Sequence, residues 1–248
     1  MKKRWVLYGL ALLVKSVSGA SYPFTAPLIM KDNVYTIVSI GADFIRMNGN
    51  QSLMLLEPYR DYYTGNNAFK PNGSVGLGLS FERTLYAEIS WQLGLIGYYN
   101  SPVQAEGHRW ELGLSDFDNF SYRYKVQSSR ITAMGKLLSN YHSRCHLYLS
   151  GEVGGSFNHA YGYRETPLIV QSIPMEPFTS RTRTNLSWGV GLGIDVDINA
   201  DLRLGVGYQF ASLGSVSLGL SPAQETSQTL SINPLYDNQI RAQLTALL

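Results

Sequence analysis

At 248 residues, with 15% charged side chains, 24 Gly, 17 Tyr and one cysteine, the chain has room for one or two ordinary domains. The lone Cys145 excludes an intramolecular disulfide framework. Nothing after residue 20 is apolar for long enough to cross a bilayer as a helix, which takes about 20 residues.

The first twenty residues read as an export signal. Lys2, Lys3 and Arg4 form a basic start, Trp5 to Val14 an apolar run, and Ser18-Gly19-Ala20 a small-residue cleavage site. A retained anchor is the alternative, and Lys15 sits untidily before the cut. Cleavage removes four of the 20 basic residues and none of the 18 acids, leaving 16 against 18, a net charge of −2. A nucleic-acid partner is therefore not expected. Residues 21 to 33, with Pro23 and Pro27, are expected to form an N-terminal periplasmic segment or a plug for the lower mouth, and 34 to 248 the folded domain.

From there the dominant signal is alternation, since neighbouring side chains on a strand point to opposite faces. Val38, Ile40, Ala42 and Phe44 oppose Ser39, Gly41 and Asp43. Val75 to Phe81 opposes Gly76 to Glu82, and Leu85 to Leu95 opposes Tyr86 to Gly94. Across 120 to 137 the parity changes: Tyr122, Tyr124 and Val126 share one face, Ile131, Ala133 and Leu137 the other. A β-bulge near Gln127 to Ser129 or a misplaced strand boundary would explain it. Alternation resumes from Leu147 to Phe157 and from Leu202 to Phe210. It is unbroken from Leu186 to Ile198, where seven apolar residues oppose Ser187, three glycines, Asp195 and Asp197. The last strand sets Ile240, Ala242, Leu244, Ala246 and Leu248 against Arg241, Gln243 and Thr245.

Short and long connections alternate between these eight segments. The short ones are Arg83-Thr84, Ser139 to Arg144, and Asn199 to Asp201. The long ones cover about 48–73, 100–119, 160–183 and 211–229. Tight periplasmic turns and longer extracellular loops characterise outer-membrane barrels. A soluble barrel with apolar side chains inward is the competing architecture, but its outer face would carry many charges. Here the polar faces are mostly Gly and Ser, which suit a narrow interior. The expected fold is thus all-β: an eight-stranded antiparallel up-and-down transmembrane barrel.

This pattern, over about Val34 to Leu248, resembles the small outer-membrane barrels of the OmpA/OmpX and opacity-protein type. The resemblance implies a cell outer membrane of a Gram-negative bacterium as the location and outer-membrane lipid as the surroundings. It also implies recognition by the barrel-assembly machinery through the C-terminal strand, Asn238 to Leu248, although that signal usually ends in an aromatic residue and here ends in Leu248.

Candidate chemistry is sparse. Glu82, Glu88, Glu152, Asp195 and Arg203, with Arg130 and Lys136 if the bulge holds, fall on lumen faces. They form either an ion-pair plug or the charged lining of a narrow pore. His108 and His159 lie in or beside long loops, where Asp116, Asp118 and Ser156 are possible partners; His142 is in a turn and His146 at a strand start. None sits in an enzyme motif, no metal-ligand spacing occurs, and no cofactor is expected. Phe44, Tyr98, Tyr99, Phe120, Tyr122, Phe157, Tyr208 and Phe210 near strand ends read as an interfacial girdle, or else as a ligand platform. Among loop residues, Tyr59, Arg60, Tyr62, Tyr63, Tyr161, Tyr163 and Arg164 are candidates for contact with an extracellular ligand, or they pack on one another.

The reading is a non-enzymatic outer-membrane barrel serving envelope structure and surface interaction through its external loops. A narrow porin-like channel is the alternative, and an outer-membrane hydrolase or acyl-modifying enzyme a third possibility.

Overall fold

The computed structural model describes residues 33–47, 50–65, 69–86, 88–139, 144–222 and 228–248. The export signal, the segment to residue 32 and His142 lie outside the described residues. In chain order the strands are β1 (Asn33–Arg46), β2 (Gln51–Leu56), β3 (Tyr59–Gly65), β4 (Phe69–Tyr86), β5 (Ile89–Asn100), β6 (Val103–Trp110), β7 (Asp118–Ser139) and β8 (Cys145–Pro167). They continue as β9 (Phe178–Thr179), β10 (Arg181–Asp197), β11 (Leu202–Ser212), β12 (Val216–Ser217), β13 (Gly219–Leu220), β14 (Ser231–Ile232) and β15 (Tyr236–Leu247).

Eight of these close a barrel. Antiparallel ladders run from β1 through β4, β5, β7, β8, β10, β11 and β15, and β15 returns to β1. Closure pairs the wall's backbone groups and leaves no edge, which hydrocarbon requires. All eight segments expected from alternation are present. One outward residue from each strand (Ile40, Leu77, Leu95, Ile131, Leu149, Leu192, Val206 and Ile240) is more than half exposed. Such a continuous apolar belt is the surface of a transmembrane barrel.

The turn before β5 includes Glu88 and does not fall at Arg83-Thr84, which remain in β4 paired to β5. The ladder slips between Thr84 and Tyr86, a local irregularity that period-two patterning does not mark. Glu88 therefore sits exposed in a turn instead of facing the lumen.

The larger correction concerns the long connections, three of which contribute strands to the barrel wall. β7 and β8 have 22 and 23 residues, about twice the 9–11 that a tilted strand needs to cross. Beyond the belt, β6 takes over from β5 as the partner of β7, and the β2–β3 hairpin adds to β6. These strands raise a wall above the membrane zone at the long-loop end.

The expected bulge at Gln127 to Ser129 is absent. The β7–β8 register is continuous from Lys125 to Leu138, and even-numbered residues of β7 from Phe120 to Leu138 are buried throughout. The surroundings change instead of the backbone. In the belt the inward residues are polar and the outward ones apolar. Above it, inward Phe120, Tyr122, Tyr124 and Val126 are apolar while outward Arg123 and Lys125 are charged. The actual bulge is on β8, where Gly162 adopts φ +68° and the register steps by one. Even residues of β8 face inward before it, Tyr163 and Glu165 after it.

An apolar core fills the upper chamber. Ile45, Leu53, Tyr63, Val126 and Tyr163 from the wall meet Leu213, Val216, Leu218, Leu230, Ile232 and Leu235 of the segment that follows β11. That segment folds inward as the short β12–β14 pair. Ser156 and Asn158 donate to the Leu213 carbonyl at 2.7 and 2.6 Å, and Asn185 donates to that of Ser215 at 2.8 Å.

Leu192→Arg, in the middle of the belt, is expected to cost about 2–4 kcal/mol, whereas Thr166→Arg, above it, should cost about 0–1. Urea unfolding of the barrel refolded into lipid vesicles would check the difference.

Candidate functional site

The lumen is crossed by a buried polar network. Because β-strands alternate, Glu82 on β4, Lys136 on β7, Glu152 on β8, Asp195 and Asp197 on β10, Arg203 on β11 and Arg241 on β15 all point to the same interior. Lys136 donates to Asp195 at 2.6 Å, with its ammonium 3.8 Å from the Tyr148 ring centre. Arg203 joins Asp197 at 2.7 Å to Glu82 at 2.8 Å, and His146 meets Asp197 at 2.8 Å. These groups form a continuous layer near the short-turn end.

A second layer lies above it. Glu152 accepts from the Tyr98 hydroxyl at 2.7 Å, with Arg241 at 3.3 Å and Arg130 at 3.8 Å. Both guanidinium groups sit over the Tyr98 ring, Arg241 at 4.2 Å and Arg130 at 4.4 Å from its centre. Higher again, Asn100 donates to Asp43 and Asp237 at 2.9 and 3.0 Å, and Ser74 donates to Asp43 at 3.0 Å.

Of the lumen residues expected from sequence, Glu82, Arg130, Lys136, Glu152, Asp195 and Arg203 are brought together here, and Glu88 is not. Arg130 and Lys136 face inward without a bulge. Asp197, Arg241, Asp43 and Asp237 complete the network and were not singled out, although each has the inward parity of its strand. Tyr98, Phe120 and Tyr122 are likewise buried inside and do not belong to the girdle. Phe44, Tyr99, Phe157, Tyr208 and Phe210 face outward there, joined by Trp188 and Tyr236, which pack on Phe210.

The loop candidates separate into inner and outer sets. Tyr63 and Tyr163 are only 3% and 5% exposed, so they cannot contact an external ligand. They pack against Phe178 in the upper core. Burial raises both phenol pKa values, and the Tyr163 hydroxyl donates to Glu165 at 2.6 Å. Arg109 clamps that carboxylate at 3.0 Å and Asp61 at 2.8 Å, which ties β6 to β8 and β3. Tyr59, Arg60 and Arg164 are exposed, Tyr62 packs on Trp110, and Tyr161 stacks on His159 outside the wall.

Among the described residues, His108, His146 and His159 are not brought into a nucleophile–base grouping. Ser156 faces inward and His159 outward, where its Nδ1 meets Thr182, so the wall separates them. His108 Nδ1 pairs with Asp118 at 2.9 Å beside an open groove of about 530 Å³. Ser121, directly across from His108, donates to the Thr166 carbonyl at 3.5 Å and not to the imidazole.

An unforeseen feature lies at the tip of the long-loop end. The backbone N–H of Leu168 donates to the Asn119 carbonyl, bringing the segment after β8 beside the turns before β7. Leu112, Leu114 and Phe117 of those turns are exposed, with Leu168, Ile169, Met175, Ile173 at 81% and Val170 at 98%. The apolar run LIV at 168–170 is visible in the sequence, but its exposure is not.

No family model matches the chain, and no curated protein matches it. Among solved structures, it is similar to Neisserial surface protein A, at 10% identity over 87% of this chain and 97% of that one, TM-score 0.47. It is also similar to the outer membrane protease OmpT from Escherichia coli, at 11% identity over 92% and 99%, TM-score 0.46. A third is Ail, the attachment invasion locus protein of Yersinia pestis, in complex with the heparin analogue sucrose octasulfate, at 12% identity over 86% and 99%, TM-score 0.37.

Lys136→Met strands Asp195 in the interior and is expected to destabilise the barrel by about 3–5 kcal/mol. Adding Asp195→Leu should recover most of that loss. Urea midpoints of the refolded variants would read both effects.

Proposed function

We propose that this chain is a closed outer-membrane barrel of a Gram-negative envelope whose long-loop end faces outward and presents an apolar tip to a protein partner. The carrying observation is the contrast between a lumen whose inward charges are buried and paired and an exposed apolar tip. Buried ion pairs and the β12–β14 cap lie in the interior, whereas Val170 and Ile173 stand in solvent. Contiguous exposed apolar residues on a folded surface mark interaction sites.

The placement of the barrel's ends supports this orientation. The Leu248 N–H donates to the Val34 carbonyl, placing both ends of the barrel beside the short turns. In outer-membrane barrels that end is periplasmic. The tall wall and its tip then project from the cell. No catalytic step belongs to the proposal; among the described residues no nucleophile is hydrogen-bonded to the His108–Asp118 pair.

Orientation is tested in a Cys145→Ser background. A membrane-impermeant maleimide should label Val170→Cys on intact cells and Ala200→Cys only after lysis; the reverse pattern overturns the proposal. Cells displaying the protein should aggregate or adhere to an epithelial monolayer, and Val170→Asp with Ile173→Asp should reduce this by roughly tenfold, as loss of a central contact does. The refolded barrel, residues 21 to 248, should be silent in a planar bilayer. Reproducible openings would transfer the function to the charged lumen.

A further inference from the structure

We propose that Asp43, Asp237 and Asn100, with Ser74, form a calcium site inside the barrel, at the seam where its first and last strands meet.

The lower lumen carboxylates each meet a cation. Glu82 and Asp197 share Arg203, Asp195 has Lys136, and Glu152 faces Arg241 and Arg130. Asp43 and Asp237 are fully buried as well, yet their partners are neutral: Ser74 and Asn100 for the first, Asn100 and Gln239 for the second. Strand pairing forces the two acids together. β15 closes the barrel on β1, with Asp43 opposite Gln239 and Asp237 opposite Ile45, so the acids are diagonal neighbours of the same inward parity. Charges so placed are close enough to interact. Gln239 links them to the arginines of the layer below. Its Oε1 accepts from Arg130 at 3.0 Å and from Arg241, and its Nε2 donates to Asp237 at 2.5 Å. The arginines therefore reach Asp237 through a neutral amide. Two buried carboxylates without a counter-charge are costly, and closure encloses both.

Asn100 supplies an independent sign of a ligand. It is fully buried between the acids, and its Nδ2 donates to Asp43 at 2.9 Å and to Asp237 at 3.0 Å, while its Oδ1 has no partner. Asp237 Oδ1 has none either. Buried polar atoms left unpaired in a native fold point to an ion or a water. Turning the Asn100 amide over puts Oδ1 where Nδ2 stands, about 3 Å from one oxygen of each acid. Adjacent oxygens around calcium have that spacing when the metal–oxygen bonds are about 2.4 Å. Both oxygens of each acid, Asn100 Oδ1 and Ser74 Oγ make six, within the about 6–8 that calcium takes. Among the described residues no three His, Cys, Asp or Glu are grouped for a metal, so the nitrogen- and sulfur-rich sites of zinc or copper are not in question. Two carboxylates with amide and hydroxyl oxygens suit a hard divalent ion. Magnesium gives up its waters reluctantly, whereas calcium accepts a shell made by the protein, as burial requires here. The ligands come from β1, β4, β5 and β15, and the ion pins the closing strand to the first.

The test refolds residues 21 to 248 in detergent with calcium, with magnesium or with a chelator. Equilibrium dialysis against about 1 mM calcium, the range of extracellular sites, should find one more calcium bound per wild-type barrel than per Asp43→Asn/Asp237→Asn barrel. Calcium should raise the thermal unfolding midpoint of wild type by several degrees over the chelator, as a ligand of the folded state does. Magnesium should raise it much less, and the double variant should unfold at the same temperature in all three media. Glu106→Gln should respond as wild type does. Asn100→Asp keeps the shape of the site and adds a third carboxylate. It should bind calcium roughly tenfold more tightly and depend on it more for stability, as affinity follows ligand charge. Were Asn100 only a hydrogen-bonded bridge, that variant would be weakened equally with and without calcium. That result, equal calcium binding by wild type and the double variant, or equal stabilisation by magnesium would overturn the proposal. So would stabilisation of wild type by mild acid with no effect of calcium, which assigns the pair a shared proton instead. Should the double variant fail to fold, the gain in Asn100→Asp still decides. Neither reading depends on orientation in cells or on the apolar tip.

Discussion

Every other feature of this protein depends on one constraint: a strand in hydrocarbon must have all its backbone groups paired. Eight strands satisfy it only by closing on themselves. Closure then forces each strand's side chains into two sets, one toward lipid and one into a space barely wide enough to be filled. The outward set is free to be simple, and it is a belt of Leu, Ile and Val. The inward set has to be both small and satisfied. Gly and Ser meet the first requirement, while Lys136–Asp195 and Glu82–Arg203–Asp197 pair inward charges toward the second.

Where the wall rises out of the membrane, the same alternation continues with the chemistry of its two faces exchanged. Water outside now favours Arg123 and Lys125, and the enclosed chamber favours Tyr122, Tyr124 and Val126. The upper barrel is an ordinary water-soluble β-structure with an apolar core, built on a membrane barrel with a polar core. The change in parity at residues 126 to 131 of the sequence records this exchange of surroundings. Reading it as a bulge assumes that lipid lies outside the whole strand, and that assumption fails about halfway along β7.

The eight strands and the inward charges were legible because period-two alternation is strongest where one face meets lipid. The tall wall was less so. β6 and the β2–β3 hairpin alternate weakly, and the tyrosines of β3 occur on both faces: Tyr63 is buried while Tyr62 has the opposite parity and packs on Trp110. Composition cannot separate a tyrosine that packs inside from one that meets solvent, so Tyr63 and Tyr163 were legible only as members of a Tyr-Arg mixture. The apolar tip had the opposite difficulty. Leu168, Ile169 and Val170 read as core material by type, and only the end of the β8 ladder at Pro167 puts them outside.

Gly162 shows how closely these levels are joined. A single residue in the left-handed region steps the β8 register by one. Inside, that step delivers Tyr163 to the aromatic core and Glu165 to Arg109, fixing β8 to β6. Outside, it delivers Arg164 to a position opposite Arg123. A Cβ at residue 162 would meet nothing within 4 Å, so packing does not demand glycine there. The backbone angle does, since φ near +68° disfavours any side chain by roughly 1–2 kcal/mol. The chamber's internal clamp and the facing arginines on the outer wall therefore have one cause. A packed core above the belt and the placement of Arg164 opposite Arg123 are two consequences of the same shift in register.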